Sequence, residues 1–443
     1  MVEPVSRTRI DASPTKEFFI FMLTKDISLI RAIADLVDNS VDGARRLRLN
    51  RQYDGLSIRI EIDKAHFIIA DNCGGISVDL ARKYAFRFGR AEGMPDMPYS
   101  IGQFGVGMKR SLFKLGNVFS IESQTENSRF VVTQNVLEWA KDKSNWDFHF
   151  SDIDDNWQLP AGQESGTKIT VTELHQTVSD EFRLENFQTR LISEIEAAHQ
   201  SSLDKGLAIT LNGIPLKHRP AELLLSSNLK PAHKELSISV EDNQVKVKIF
   251  AGLSKSEPSK AGWHIFCNGR LILEADKTQT TGWGDGNPQF HNRYARFRGY
   301  AYFDSDVAKF LPWNTTKSDV DYSSSVFRSV RLEMITLMRP ILEFLKKVES
   351  EKENKDEKED PTPLELFIND AKPEIIERFE YNQPQIFIAP ARLKGKDKPQ
   401  MGRISYAKPL KEIEKIKKIL NVDTYKEVGE KTFEYYFDLE CEE

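Results

Sequence analysis

At 443 residues the chain has room for two or three domains, and its 40% hydrophobic and 29% charged residues are an ordinary balance for a folded protein. No uncharged apolar run nears the roughly 20 residues a membrane span needs, and the opening Met1-Val2-Glu3-Pro4 lacks the basic and apolar regions of a secretory signal. A net charge of −5 excludes a global pull towards nucleic acid, while three scattered cysteines (Cys73, Cys267, Cys441) argue against a disulfide framework or zinc cluster and fit a reducing cytoplasm.

Segment 18–50 reads as one helix, with Ile30, Ile33, Ala34, Val37, Val41 and Ala44 at helical spacing for a core. Residues 56–70 alternate and are β-branched, which predicts a strand pair turning near Asp63-Lys64. The stretch 77–100 is less periodic and richer in Gly, Pro and Met, as a mobile lid would be. Met108–Leu115 reads as helix, and Phe119–Ile121, Phe130–Val132 and Thr167–Val171 as strands. A second unit starting near 180 mixes strands (Leu207–Leu211, Val245–Ile249, Trp263–Cys267) with helices, including 325–347. The run from Glu349 to Asp360 is almost entirely Glu, Lys, Asp and Asn and cannot bury a core. Beyond Pro361 and Pro363 a small module is expected, with a helix over 409–420.

Three segments of the first quarter suggest chemistry. In Ala34-Asp35-Leu36-Val37-Asp38-Asn39-Ser40-Val41-Asp42-Gly43, Asp35 and Asn39 lie four apart and share a helix face. An Asn oxygen can ligate a phosphate-bound magnesium without added repulsion, and a carboxylate one turn away can act on a water as general base. The same residues also fit a solvated polar stripe. Asp71-Asn72-Cys73-Gly74-Gly75 follows an apolar strand; a buried carboxylate there can accept from an adenine amino group, although strand-ending Asp-Asn turns are common. Gly102-Gln103-Phe104-Gly105-Val106-Gly107 precedes a helix whose first N–H groups suit phosphates, with Lys109 as a point charge. It is neither a Walker loop nor a dinucleotide fingerprint.

In this order, with Gly166-Thr167 before a strand, the segments resemble the ATP-binding domain of the GHKL superfamily: gyrase, the ninety-kilodalton heat-shock chaperone, histidine kinases and MutL. The resemblance covers residues 15–175. Ile101–Ser111 and Tyr84-Ala85-Phe86-Arg87-Phe88-Gly89-Arg90 look most like MORC ATPases. Phe266-Cys267-Asn268-Gly269-Arg270 resembles a strand of MutL-type transducer domains, and Lys317, in Pro312–Asp319, sits where that fold sends a lysine to the γ-phosphate. A surface Thr-Thr-Lys turn would read the same way.

The resemblance implies an α+β protein: a Bergerat-type α/β sandwich binding ATP over 1–178, a MutL-like transducer over 179–348, a charged linker over 349–363 and a small module over 364–443. It implies Asp35 and Lys317 as catalytic groups, Asn39 on magnesium, and Asp71 reading adenine with support from Thr167. Gly75 and Ile76 would shape the base pocket, and Gly102, Gln103, Phe104, Gly105, Val106, Gly107, Met108 and Lys109 would close on the phosphates. The expected output is ATP hydrolysis gating a homodimeric clamp. Its client would be DNA, held by a basic tail (Arg392, Lys394, Lys396, Lys398, Arg403, Lys408, Lys411, Lys415, Lys417, Lys418), in DNA modification or anti-phage defence. Alternatives are a clamp on a protein client and an ATP-sensing subunit of a multi-protein complex with little turnover. No phosphoacceptor-histidine helix precedes the domain, so kinase activity is not expected. Two positions depart from the pattern. Asp35 stands where Glu is usual and is one methylene shorter, and Cys73 stands where Gly is usual.

Overall fold

Ser28 divides the first helical segment in two. Its hydroxyl accepts from the Arg31 N–H, so helix α1 (Lys16–Lys25) ends before it and α2 (Leu29–Leu47) starts after it. The single helix expected over 18–50 is therefore a pair, because a Ser cap offers the backbone a fresh start that apolar spacing alone does not reveal. The computed structural model describes residues 14–89, 98–102, 105–143, 145–353, 361–376, 384–390 and 404–441. By contacts the chain divides into two units, Met1–Ala391 and Arg392–Glu443.

The first sheet of the larger unit holds eight strands: β1 (Ser57–Ile62), β2 (Phe67–Asp71), β3 (Gly116–Gln124), β4 (Arg129–Asn135), β5 (Asp152–Asp154), β6 (Gly166–Leu174), β7 (Ala208–Leu211) and β8 (Ile214–Pro215). Their order is β5-β4-β3-β6-β2-β1-β7-β8, with β1 and β7 parallel and the other neighbours antiparallel. The strand at 208–211 thus lies in the first sheet. Strand β1 shows the period of two: Ile58, Ile60 and Ile62 are buried, while Arg59 and Glu61 are exposed. Against this core α2 buries Ile33, Leu36, Val37, Val41 and Ala44, each larger side chain contributing roughly 1.5–3 kcal/mol.

Between β2 and β3 lie α3 (Val78–Leu80), a π-helical turn (Ala81–Ala85) and α4 (Gly107–Leu115). The start of the expected lid is therefore helical, initiated by the Ser77 hydroxyl accepting from the Leu80 N–H. Phe88 beyond it packs edge-on against Phe19 of α1 at 5.0 Å and beside Trp139 and Phe113. Helices α5 (Val136–Lys141), α6 (Gln176–Phe182), α7 (Glu185–Ala198) and α8 (Gln200–Asp204) complete this part.

Strand β9 (Glu222–Leu225) leads into a five-stranded sheet of β10 (Ala232–Val240), β11 (Asn243–Leu253), β12 (Gly262–Cys267), β13 (Arg270–Asp276) and β14 (Phe297–Asp304), in the order β10-β11-β14-β12-β13. Every residue of β12 is buried, because the sheet is covered on both faces. The long α9 (Ser325–Glu353) packs on β10, β11 and β14. A second cluster of Leu223, Phe250, Phe266, Tyr300 and Ile376 packs near β9, which pairs with β15 (Lys372–Ile375) after α10 (Pro363–Asp370). One continuous apolar core spans both sheets, from Ile33 and Ile60 to Ile249 and Met338.

The smaller unit contains α11 (Leu410–Leu420) and α12 (Tyr425–Glu440). The expected helix is present, yet none of its residues is buried, Leu410 included.

Candidate nucleotide-binding site

Asp35, Asn39, Asp42 and Arg46 follow one another along α2 at steps of three and four, so they share a face. That face lines a cavity of about 430 Å³. Asp71, Gly75, Ile76 and Thr167 line one part of it; Gly102, Gly105, Val106, Gly107, Met108, Lys109 and Lys317 line the rest. The structure therefore gathers the predicted site residues into one cavity, except Gln103 and Phe104, which lie outside the described residues. A second cavity of similar size, about 440 Å³ beside Thr24, Lys114, His175 and Arg190, contains none of them.

Asp71 ends β2 and turns its carboxylate onto three neutral donors. Ser40 of α2 donates its hydroxyl at 2.6 Å, the Cys73 N–H at 2.9 Å and the Thr167 N–H at 3.3 Å. Burial still prevails over these bonds and raises the Asp71 carboxyl above the usual range. Thr167 thus supports Asp71 through its backbone, while its hydroxyl pairs with that of Ser123 at 2.9 Å. The Ser123 hydroxyl also accepts from the Ile76 N–H at 2.8 Å.

The turn after Asp71 is fixed by its glycines. Gly75 has φ +67° and a Cβ there would overlap the Gln124 carbonyl, so no other residue fits without a backbone shift. Gly43 of α2 faces the Cys73 carbonyl, which a Cβ would approach to 2.7 Å. Cys73 itself lies outside the left-handed region, where Gly74 and Gly75 take the unusual angles instead. Its thiol is buried and burial pushes its pKa up, so it behaves as a small core residue rather than a nucleophile.

At the glycine loop, Asp42 accepts from the Ile101 N–H at 2.8 Å and the Gly102 N–H at 2.7 Å. The Gly102 donor is thus already engaged, and the carboxylate holds the loop onto α2. Lys109 does not project freely into the cavity. Its Nζ donates to the Ala85 carbonyl at 3.0 Å and to the Gly105 carbonyl, joining the π-helical turn to the loop. Burial without a carboxylate partner lowers its pKa to about 7.

The far end is dense in charge. Lys317, with φ +51°, reaches from the loop after β14 and places Nζ 2.6 Å from Asp38 Oδ2 and 3.4 Å from Asp35 Oδ1. Arg270 of β13 donates Nε to Asp38 Oδ1 at 2.6 Å, and His199 Nε2 lies 3.2 Å from the same oxygen. Burial alone would raise the Asp38 carboxyl, but Arg270, Lys317 and His199 together hold it well below the ordinary range. His199 is itself kept towards its neutral form, chiefly by burial. Arg110 of α4 donates Nη2 to Asp35 Oδ2.

Sequence reasoning missed Arg110, Arg270 and His199 as site residues. Arg110 adjoins Lys109 in the glycine-loop segment and Arg270 lies in the transducer-like strand, so both had a positional signal; His199 had none.

Residues 27–167 match the family model described as histidine kinase-, DNA gyrase B-, and HSP90-like ATPase. Over this segment the chain is similar to GHKL-type ATPase domains. The match begins just before α2 and ends on Thr167, so it encloses Asp35, Asn39, Asp71 and the glycine loop, and it supports ATP binding. No curated protein matches the chain. Among the described residues of the domain and the rest of the chain, no group of three His, Cys, Asp or Glu side chains could hold a metal unaided. Asn39, exposed on the cavity face of α2, presents a side-chain oxygen that, with phosphates, would hold a magnesium ion. No helix of the described residues is long and apolar enough to cross a membrane.

Proposed function

We propose that the chain binds magnesium–ATP in this cavity, hydrolyses it, and uses the cycle to reset the second sheet against the GHKL-type domain. Adenine lies at Asp71, Gly75, Ile76 and Thr167, and the phosphates lie against the loop Gly102–Gly107 and Lys109. Magnesium, held by Asn39 and the phosphates, supplies charge neutralisation. The observation that carries the reading is Lys317. A lysine far along the chain is buried against the α2 carboxylates, so a change at the γ-phosphate is felt by another sheet. In the step itself a water oxygen bonds to the γ-phosphorus, the bond to the β–γ bridging oxygen breaks, and Asp35 accepts the water proton. ADP and phosphate are released.

An ATP-dependent homodimer closing on DNA extends this proposal and rests on the MORC and MutL resemblance, as does a role in DNA modification or anti-phage defence. The described basic residues of the tail, Lys408, Lys411, Lys415, Lys417 and Lys418, are interleaved with Glu412 and Glu414 and followed by Glu427, Glu430 and Glu434 on α12. Arg392, Lys394, Lys396, Lys398 and Arg403 lie outside the described residues. One observation favours the low-turnover reading: both Asp35 oxygens are already engaged, by Arg110 and Lys317.

The test is phosphate release with and without DNA. Wild type is expected to turn over, and Asp35→Asn to lose roughly 10²–10⁴-fold in kcat while still binding nucleotide. Equal rates for the two proteins would remove Asp35 as the base. Sedimentation with a non-hydrolysable ATP analogue tests the dimer, which an unchanged mass would refute.

A further inference from the structure

Arg110 is 6% exposed, and its Nε has no hydrogen-bond partner. Its Nη2 holds Asp35 and lies 3.5 Å from the Thr315 carbonyl, in the loop that carries Lys317. Around it three formally cationic groups (Arg110, Arg270, Lys317) face two carboxylates (Asp35, Asp38), and His199 is kept towards neutrality. The buried cluster therefore carries an excess positive charge, which a low-dielectric interior tolerates poorly without an anion. Arg110, Asp35, Lys317 and Gly107 line the same cavity, and a Cβ on Gly107 would lie only 3.5 Å from Asp35 Oδ2. The anion that would relieve the excess thus belongs at the glycine-loop end.

We propose that Arg110 is a ligand of the terminal phosphate of ATP, and that its pairing with Asp35 is the nucleotide-free half of an exchange. The inference rests on the ATP-binding reading above. Without nucleotide the guanidinium neutralises Asp35. With ATP in place the planar fork transfers to the γ-phosphate oxygens, which it suits better than an ammonium does, and Asp35 is left free to accept the water proton. The short Asp35 side chain is part of the same device. It meets a cation reaching in from α4, and becomes a base only after that cation has found a phosphate. ADP, which has no γ-phosphate, leaves the pair closed.

Calorimetric titration of wild type, Arg110→Gln and the double variant Arg110→Gln with Asp35→Asn, each with ADP and with a β,γ-imido ATP analogue, decides the matter. Arg110→Gln is expected to weaken the ATP analogue about tenfold or more, the size of a lost charge-assisted hydrogen bond, with ADP affinity unchanged. Asp35→Asn relieves the unpaired carboxylate and is expected not to restore the lost affinity. Equal loss for both nucleotides, no loss for either, or restoration in the double variant would show a purely structural ion pair and overturn the proposal. A wild type that binds neither nucleotide refutes the ATP reading itself. Where Arg110→Gln fails to fold, Arg110→Lys keeps the charge without the fork and is read by the same criteria.

Discussion

At the Asp71 end of the cavity one carboxylate is held by three neutral donors, all drawn from residues 40–167. At the Lys317 end two carboxylates are held by cations from α4, from β13 and from the loop after β14. The same residue type responds in opposite ways. Desolvation prevails over neutral hydrogen bonds and raises Asp71, whereas Arg270 and Lys317 overcome desolvation and depress Asp38. One end is thus complete within residues 40–167, and the other is an assembly that exists only while two sheets meet.

The largest expected effect probes that assembly. Asp38→Asn leaves Arg270 and Lys317 short of a buried counter-charge and should cost about 3–5 kcal/mol in urea unfolding. Asp71→Asn, whose partners are neutral, should cost far less; equal losses would erase the contrast. Asp71→Asn should instead weaken ADP and ATP analogues alike by roughly 1.5–3 kcal/mol in a calorimetric titration, the range for hydrogen bonds to charged groups. Retained affinity would move adenine elsewhere.

Lys109 sharpens the comparison, being a buried cation with carbonyls but no carboxylate. Its folded pKa is about 7, while the unfolded chain keeps a value of roughly 10.4. Between those pH values the unfolded state holds a proton that the folded state lacks, so stability rises with pH across that window. The slope is at most about 1.4 kcal/mol per pH unit, and Lys109→Met should remove this contribution from a series of pH-dependent melts. The smallest effect is at Ser40. Ser40→Ala deletes one donor to Asp71 and should cost about 1 kcal/mol in ADP affinity. Because that bond favours the carboxylate, its loss also moves the acid fall-off of binding to higher pH.

Much of the Asp71 end was legible in the sequence, because Asp71, Gly75 and Thr167 lie in short segments whose residue types are dictated locally. A tight turn leaves Gly75 no alternative, and β2 pairs directly with β6, which sets Asp71 opposite Thr167. Strands β1, β2, β3, β4, β6, β7, β11 and β12 and the α9 helix were also legible, whereas β10, β13 and β14 were not named from the sequence. The Lys317 end was only half visible. Lys317 could be named from its motif, but its pairing with Asp38 spans 279 positions and depends on how the two sheets pack. His199 carries no local signature, and Arg110 only its place beside Lys109: a helical arginine normally reads as a solvated side chain, and only tertiary burial turns it onto Asp35. The division at Ser28 was missed because helical spacing continues through it.

The bonds that Lys317 and Arg270 make to α2 have a consequence for how the molecule comes apart. They are buried, so salt reaches them weakly, and they lie within an apolar core that is continuous from Ile33 to Met338. Neither sheet can open without stranding charges of the other in its interior. Thermal unfolding of the described part of Met1–Ala391 is therefore expected as one cooperative transition shared by both sheets, with α11 and α12, which bury almost nothing, melting on their own.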